Sequence, residues 1–344
     1  MRIGVIGAGA WGTALAQVAA ADGEEVRIWA LEPEVANAIN TDHQNPLYLK
    51  GLALSPAIRA TSELVEMGEC EAFLIVTPAQ HVRAIVDRLP ARGKPLVLCA
   101  KGIEDSTGLL MHEVAAEVQP DSPIAVLSGP TFAHEVAAGL PTAVTLAAAD
   151  RALGERLIAR IARPWFRPYL SDDVAGAEVG GAVKNVLAIA CGVVEGKRLG
   201  QNARAALISR GFAEMTRFGL AKGARPETLA GLSGLGDLVL TCSSTSSRNF
   251  SLGKGLGEGA RPADLLADRR TVAEGAFTAP VLKRAADALG VDMPIVAAVC
   301  ALLAEEAGVD EVVERLLARP LRSAGVCPLD VALNLFQGPC LRTQ

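Results

Sequence analysis

Residues 3–12 read IGVIGAGAWG: an apolar run, Ile3–Ile6, then glycines at positions 7, 9 and 12. The spacing fits G-x-G-x-x-G between a strand and a helix. Each glycine has a distinct task in that pattern. Gly7 permits the tight turn, Gly9 lets backbone approach a pyrophosphate, and Gly12 lets the helix pack on the strand. The helix that follows offers unpaired N–H groups and a positive dipole end to phosphate. A plain strand–turn–helix would look the same locally, so the segments that follow decide between the two.

Those segments alternate. Apolar runs at Val26–Ala30, Ala72–Thr77, Leu96–Ala100, Ile124–Ser128, Thr142–Ala148 and Trp165–Leu170 are separated by helical patterns. The helical patterns include 12–21, 34–40, 82–89, 108–118 and 152–162. Strands spaced by helices predict βαβ units and a parallel sheet. After about Ser171 strand signals fade, and residues 176–194, 202–218, 279–289 and 294–307 read as helices. The stretch from Gly180 to Val194 has little polar face, which predicts a helix buried on most sides. The expected division is 1–172 and 173–344, with the tail from about residue 325 unplaced.

The chain has 344 residues, half of them hydrophobic, and a formal net charge of −5. Neither a basic excess for nucleic acid nor an acidic tail is present. No uninterrupted apolar run approaches the ~18 residues of a membrane span. Met1 leads straight into a strand, without the basic and apolar regions of a signal peptide. Seven scattered cysteines include no CxxC pair, so reduced thiols in a cytoplasmic protein are expected rather than zinc or disulfides. No metal site is predicted.

Glu32 lies 20 residues after Gly12, where an acid commonly meets the adenosine ribose hydroxyls. A carboxylate there repels a 2′-phosphate, which favours NAD over NADP. A solvated loop acid is the alternative. Arg27 lies inside the strand and is not expected to reach the same place.

Polar islands then interrupt apolar or glycine-rich sequence. Lys101 follows a strand in AKGIE, on the side where open α/β sheets bind ligands; it could meet substrate phosphate or be a surface lysine. SGPTFAHE (128–135) is a turn on that same side. His134 beside Glu135 reads more simply as a surface pair than as a proton carrier. Lys184 and Asn185 interrupt GGAVKNVLAIACGVV. A lysine in so apolar a helix needs partners, and burial lowers its pKa toward that of a general base. Asp237, in the glycine-rich bend GLSGLGDL, could hold such an ammonium or cap a helix. Ser247, Arg248 and Asn249 suit a phosphate monoester, because a guanidinium fork matches two phosphate oxygens; a flexible serine-rich loop is the alternative. Glu274 in TVAEG stands before a helix start and could be a cap or a ligand contact.

Together these segments resemble the bacterial NAD(P)-dependent glycerol-3-phosphate dehydrogenase family. The matching pieces are GAGAWGTALA, AKGIE, SGPTFAHE, AVKNVLAIACGVVEG, GLSGLGDLVLTC, SRN, VAEG and DMPIV, in family order from residue 4 to about 296, with RPLRS at 319–323 also similar. The resemblance implies an α/β Rossmann-like N-terminal domain plus an all-α C-terminal domain of the 6-phosphogluconate-dehydrogenase type, with the site between them. It implies reversible hydride transfer between NAD(P)H and dihydroxyacetone phosphate, giving sn-glycerol 3-phosphate for phospholipid synthesis.

By the same resemblance Lys184 is the general acid/base. Lys101, Gly129, Thr131, Asn185, Asp237, Ser247, Arg248 and Asn249 would bind substrate. Gly7, Gly9, Ala10, Trp11, Gly12, Leu31, Glu32, Lys101, Ala133, Arg248, Val272 and Glu274 would bind the cofactor. Ala10 stands where many bacterial members carry Ser, and Leu31 where many carry a basic residue suited to the NADP phosphate. Leu31-Glu32 therefore leans the expectation to NAD. A homodimer is implied too. The alternatives are a 3-hydroxyacid or 6-phosphogluconate type of dehydrogenase, or an NAD(H)-binding sensor without turnover.

Overall fold

In the computed structural model, residues 1–90, 92–267 and 273–318 are described. Eight strands form one sheet: β1 (Ile3–Ile6), β2 (Val26–Trp29), β3 (Ile58–Thr61), β4 (Ala72–Ile75), β5 (Leu96–Leu98), β6 (Ile124–Ser128), β7 (Thr142–Ala148) and β8 (Phe166–Ser171). Their order is β3-β2-β1-β4-β5-β6-β7-β8. The order reverses between β1 and β4, the crevice where open α/β sheets hold ligands at their strand carboxyl ends.

Six helices lie among these strands: α1 (Ala10–Ala19), α2 (Pro33–Asp42), α3 (Val82–Arg88), α4 (Met111–Val118), α5 (Ala133–Ala137) and α6 (Arg151–Ile161). They cover both faces, as buried parallel strands require. Val5, Ile28, Leu74 and Val97 pack on one face with Leu15 and Leu157. Ile6, Phe73, Ile75 and Leu98 pack on the other with Val86 and Val114.

Two features depart from the sequence reading. β3 was not anticipated, because IRAT carries one fully buried apolar residue at the sheet edge. It is pinned instead by Asn40 of α2, whose side chain donates to Ala60 O and accepts from Ala60 N, each at 2.8 Å. The sheet is also not wholly parallel: β6 and β7 run antiparallel, with Ser128 opposite Thr145. The connection between them holds only the short α5, too little for a full crossover helix.

From Val174 onward the described chain is helical: α7 (Val174–Gly196), α8 (Gln201–Ala221), α9 (Pro226–Leu229), α10 (Asp237–Cys242), α11 (Arg248–Gly257), α12 (Pro262–Leu265), α13 (Glu274–Ala288), α14 (Pro294–Leu303) and α15 (Val309–Leu317). Asp173 caps α7 by accepting from Gly176 N at 2.8 Å. Every residue from Gly176 to Val194 is buried. α7 is long and apolar enough to cross a membrane, but it is the core helix of this fold. α11 packs so closely on it that a Cβ on Gly192 would sit 2.1 Å from Phe250 O, and one on Gly253 1.9 Å from Ile189 O. The contact therefore requires glycine on both helices.

A polar brace joins the two halves at α4 and α7. His112 Nδ1 lies 2.7 Å from Glu178 Oε2, and His112 N donates to Glu178 Oε1 at 3.0 Å. Burial alone pulls the imidazole pKa down, but the Glu178 carboxylate outweighs it and the pKa is raised. A raised histidine pKa means stability that is full below the unfolded value near 6.5 and is lost as pH rises through the folded one. Replacing His112 with Ala should therefore destabilise by about 1 kcal/mol at pH 6, and by less at pH 8.5. Thermal unfolding across that range checks this; a pH-independent difference contradicts it.

Candidate active site

The centre of the site is one carboxylate between two lysines. Asp237 opens α10 and is fully buried. Its Oδ2 accepts from Lys101 Nζ at 2.8 Å, and its Oδ1 from Lys184 Nζ. Thr241 Oγ1 adds a longer contact to Oδ1 at 3.4 Å. The bend before Asp237 is a π-helical turn, Leu232–Gly236, not a simple glycine loop. Such turns aim side chains that a regular helix would not. This turn fits because Gly180 of α7 has no Cβ: one there would sit 2.0 Å from Ser233 O.

The two lysines come from opposite halves. Lys101 lies three residues beyond the end of β5, further out than the sequence run suggested. Its amine also reaches Gly129 O at 3.4 Å, in the loop after β6. Lys184 is buried on α7. A single carboxylate cannot fully compensate two ammoniums, one buried (Lys184) and one half-buried (Lys101). Lys101, although burial draws it down, is raised by Asp237 and stays charged. Lys184 is pushed down to about 7, chiefly by burial and further by the Lys101 charge, with Asp237 opposing. A lysine that releases its proton near neutrality is a proton carrier in waiting.

Phosphate-compatible groups border this cluster. Ser247 caps α11, accepting from Phe250 N at 3.2 Å. Arg248, the first residue of α11, is exposed, and among the described residues its guanidinium has no hydrogen bond or ion pair. The segment is a helix start, not the flexible serine-rich loop that its composition also allows. Asn249 is buried, and its Oδ1 accepts from Gly275 N at 2.8 Å, at the start of α13. A Cβ on Gly275 would lie 2.5 Å from Asn185 O, so Asn185, Asn249 and Gly275 converge. Glu274 stands beside them. Burial raises its carboxyl pKa against the pull of Arg248, Lys101 and Lys184. Thr131 Oγ1 donates to Gly129 O at 3.3 Å. His134 is exposed and 3.9 Å from Glu135, a surface pair.

The glycine loop forms the second part. Gly7 has φ 113°, and a Cβ on Gly12 would sit 1.8 Å from Gly7 O. A Cβ on Gly9 would meet nothing within 4 Å, so the loop is open in front. No side chain caps α1, and no acid stands in its first turn. Among the described residues, buried Trp11 Nε1 has no hydrogen-bond partner. These features fit a bound dinucleotide: open backbone, free helix N–H groups and an unspent donor. Glu32 is not a loose acid. It stands at the N-cap position of α2, and Tyr48 Oη donates to its Oε1 at 2.7 Å. Arg27 is engaged elsewhere, 2.8 Å from Glu69. Ala10, Leu31 and Ala133 border this part, Leu31 being the exposed one. Val272 lies outside the described residues, as do RPLRS and the tail.

Sequence reasoning passed over some residues. Thr77, after β4, and Ser128, at the end of β6, are buried, and their hydroxyls have no hydrogen-bond partner among the described residues. A Cβ on Gly181 would lie 3.4 Å from Ser128 Oγ and 3.2 Å from Lys101 Cγ. Ser128 thus sits between Lys101 and α7. Its place in SGP, directly before Gly129, is the sequence signal for it.

Comparison with known proteins fits this geometry. Residues 2–154 match the N-terminal model of the NAD-dependent glycerol-3-phosphate dehydrogenase family, and residues 173–314 match the C-terminal model. A glycerol-3-phosphate dehydrogenase [NAD(P)+] of Erythrobacter litoralis is 66% identical over 94% of this chain and 97% of its own length. One from Novosphingobium aromaticivorans is 65% identical, over 93% and 97%. A crystal structure of glycerol-3-phosphate dehydrogenase from Coxiella burnetii superposes with a TM-score of 0.89 at 38% identity, over 92% of this chain and 99% of that one. The glycine cradle and the buried two-lysine cluster thus lie on a sequence related to such dehydrogenases along nearly its whole length, and the chain belongs to the NAD-dependent glycerol-3-phosphate dehydrogenase family.

Proposed function

We propose that the chain interconverts dihydroxyacetone phosphate and sn-glycerol 3-phosphate, with Lys184 as general acid/base. The observation that carries this is the buried Lys184–Asp237–Lys101 cluster, in which Lys184 sits near pKa 7. NAD(P)H, when bound, supplies the hydride and its oxidised form accepts it. Neutral Lys184 takes the proton from the C2 hydroxyl in oxidation; charged Lys184 returns it in reduction. Asp237 holds the amine in place, and Lys101 keeps the pocket positive. Residues 1–172 would bind the dinucleotide through Gly7, Gly9, Ala10, Trp11, Gly12, Leu31, Glu32 and Ala133. Residues 173–344 would bind substrate, with Asn185, Ser247, Arg248 and Asn249 joined by Lys101, Gly129 and Thr131. The Glu32 carboxylate favours NAD over NADP.

Mixing the protein with dihydroxyacetone phosphate and NADH, then NADPH, tests this directly. Substrate-dependent loss of nicotinamide absorbance, faster with NADH, is expected. No turnover with either cofactor contradicts it. Arg248 makes a narrower test. Its exposed guanidinium, without a hydrogen bond or ion pair among the described residues, suits the substrate phosphate, so Arg248→Ala should raise KM for dihydroxyacetone phosphate by about ten- to a hundredfold, the worth of a charge-assisted hydrogen bond. An unchanged KM would remove it from the phosphate site.

Three further statements belong to the same reading. The protein works in the cytoplasm, in keeping with the free thiols of Cys70, Cys99, Cys191, Cys242 and Cys300. It forms a homodimer, for which the exposed Phe277 and Leu289 at α13 offer apolar surface. Its product feeds phospholipid synthesis.

A further inference from the structure

Glu32 is held from a segment that the functional reading does not use. Past α2 the chain doubles back: His43 turns it with φ 48°, and Leu54 N donates to His43 O at 2.8 Å. Within that turn Asn45 is fully buried. Its Nδ2 donates to Ala8 O, inside the glycine loop, and lies 2.8 Å from Thr13 Oγ1 of α1. Thr13 Oγ1 in turn donates to Ala8 O at 3.2 Å. On its other side Asn45 Oδ1 accepts from Tyr48 N at 3.0 Å. Tyr48 then reaches out, and its hydroxyl meets Glu32 Oε1 at 2.7 Å. One side chain at the glycine loop thereby anchors another at the start of α2.

We propose that Tyr48 is a positioning residue for cofactor selection. Its hydroxyl occupies one oxygen of Glu32 and fixes the direction of the other, while Asn45 ties Tyr48 to the phosphate loop. The distance from pyrophosphate cradle to carboxylate is then set by the protein before any nucleotide binds. A ribose diol finds an oriented acceptor; a 2′-phosphate finds a negative charge that cannot swing aside. Preorganisation of this kind saves the cost of ordering the side chain on binding. This rests on the reading of Glu32 as the ribose-side acid.

Tyr48→Phe removes the hydroxyl and keeps the ring. Kd for NADH and NADPH should be measured by nucleotide fluorescence, alone and in a Glu32→Gln background, beside kcat at saturating cofactor. The NADH Kd should rise about fivefold and the NADPH Kd should hold or fall, about the worth of one hydrogen bond. In the Glu32→Gln background the same change should leave the NADH/NADPH ratio unmoved, and in each background Tyr48→Phe should leave kcat at saturating cofactor close to that of its own parent. Equal weakening of both nucleotides means a structural role and overturns the proposal. So does a ratio change that persists without the Glu32 charge. Failure of the wild-type protein to bind either nucleotide would overturn the cofactor reading as well. An intact wild-type enzyme with an unmoved ratio in Tyr48→Phe overturns this inference alone.

Discussion

Lys184→Ala is expected to lower kcat by about a thousandfold in both directions, within the ~10²–10⁴ range that positioned proton transfer contributes. The size of the loss follows from the site. Lys184 is the one of the two lysines whose proton is loosely held, and it lies on the rigid core helix α7. The fold should survive, because Asp237 keeps Lys101 at 2.8 Å and no buried charge is left alone. NADH should bind as before, since the glycine loop is a separate part of the molecule. Lys184→Arg should be nearly as slow: a guanidinium keeps the charge but does not deprotonate in this range. Near-normal turnover in Lys184→Ala, with a folded protein, would remove Lys184 from the chemistry.

Asp237 carries the second large effect, and its two substitutions should differ. Asp237→Ala strips the counter-ion from the buried Lys184 and the half-buried Lys101, which costs about 3–5 kcal/mol of stability as one-sided removal of a buried ion pair does. Asp237→Asn keeps the shape and loses only the charge. Asp237 is what holds the Lys184 pKa up against burial and Lys101. Its neutralisation should therefore move the Lys184 ionisation to about pH 6 or below, the shift expected when an opposite charge in contact is removed. The activity–pH curve of Asp237→Asn should follow it downward. Chemical denaturation of both variants, with pH–rate curves for Asp237→Asn, tests the pair. An Asp237→Ala protein as stable as wild type would mean that the cluster is more hydrated than its burial implies.

How much of this could be read from the chain depends on the distance over which each contact forms. The strand–glycine–helix opening and the alternation up to Ser171 are local patterns, and they led to the correct fold class. β3 escaped because an edge strand needs no apolar alternation, and the β6–β7 reversal because a short connection carries no mark of direction. The residue types of the site were legible as polar islands. Their mutual arrangement was not: Lys101 and Asp237 lie 136 positions apart, Lys184 and Asp237 53. The suggestion that Asp237 could hold an ammonium matches the geometry, but the sequence offered no sign that it holds two. Nor did it show that SRN starts a helix, with Ser247 as its cap. Asn45 and Tyr48 passed unnoticed because neither residue type is unusual in a loop.

The central claim is that a lysine ionising near neutrality moves the proton. The pH dependence of kcat/KM for the wild-type enzyme, in both directions, tests it most directly, because that ratio reports ionisations of the enzyme before substrate binds. Oxidation of glycerol 3-phosphate should rise with pH through a limb near 7, as Lys184 becomes a base. Reduction of dihydroxyacetone phosphate should fall through the same limb. Profiles flat across neutrality, or a limb that remains unmoved in Asp237→Asn, would contradict the account.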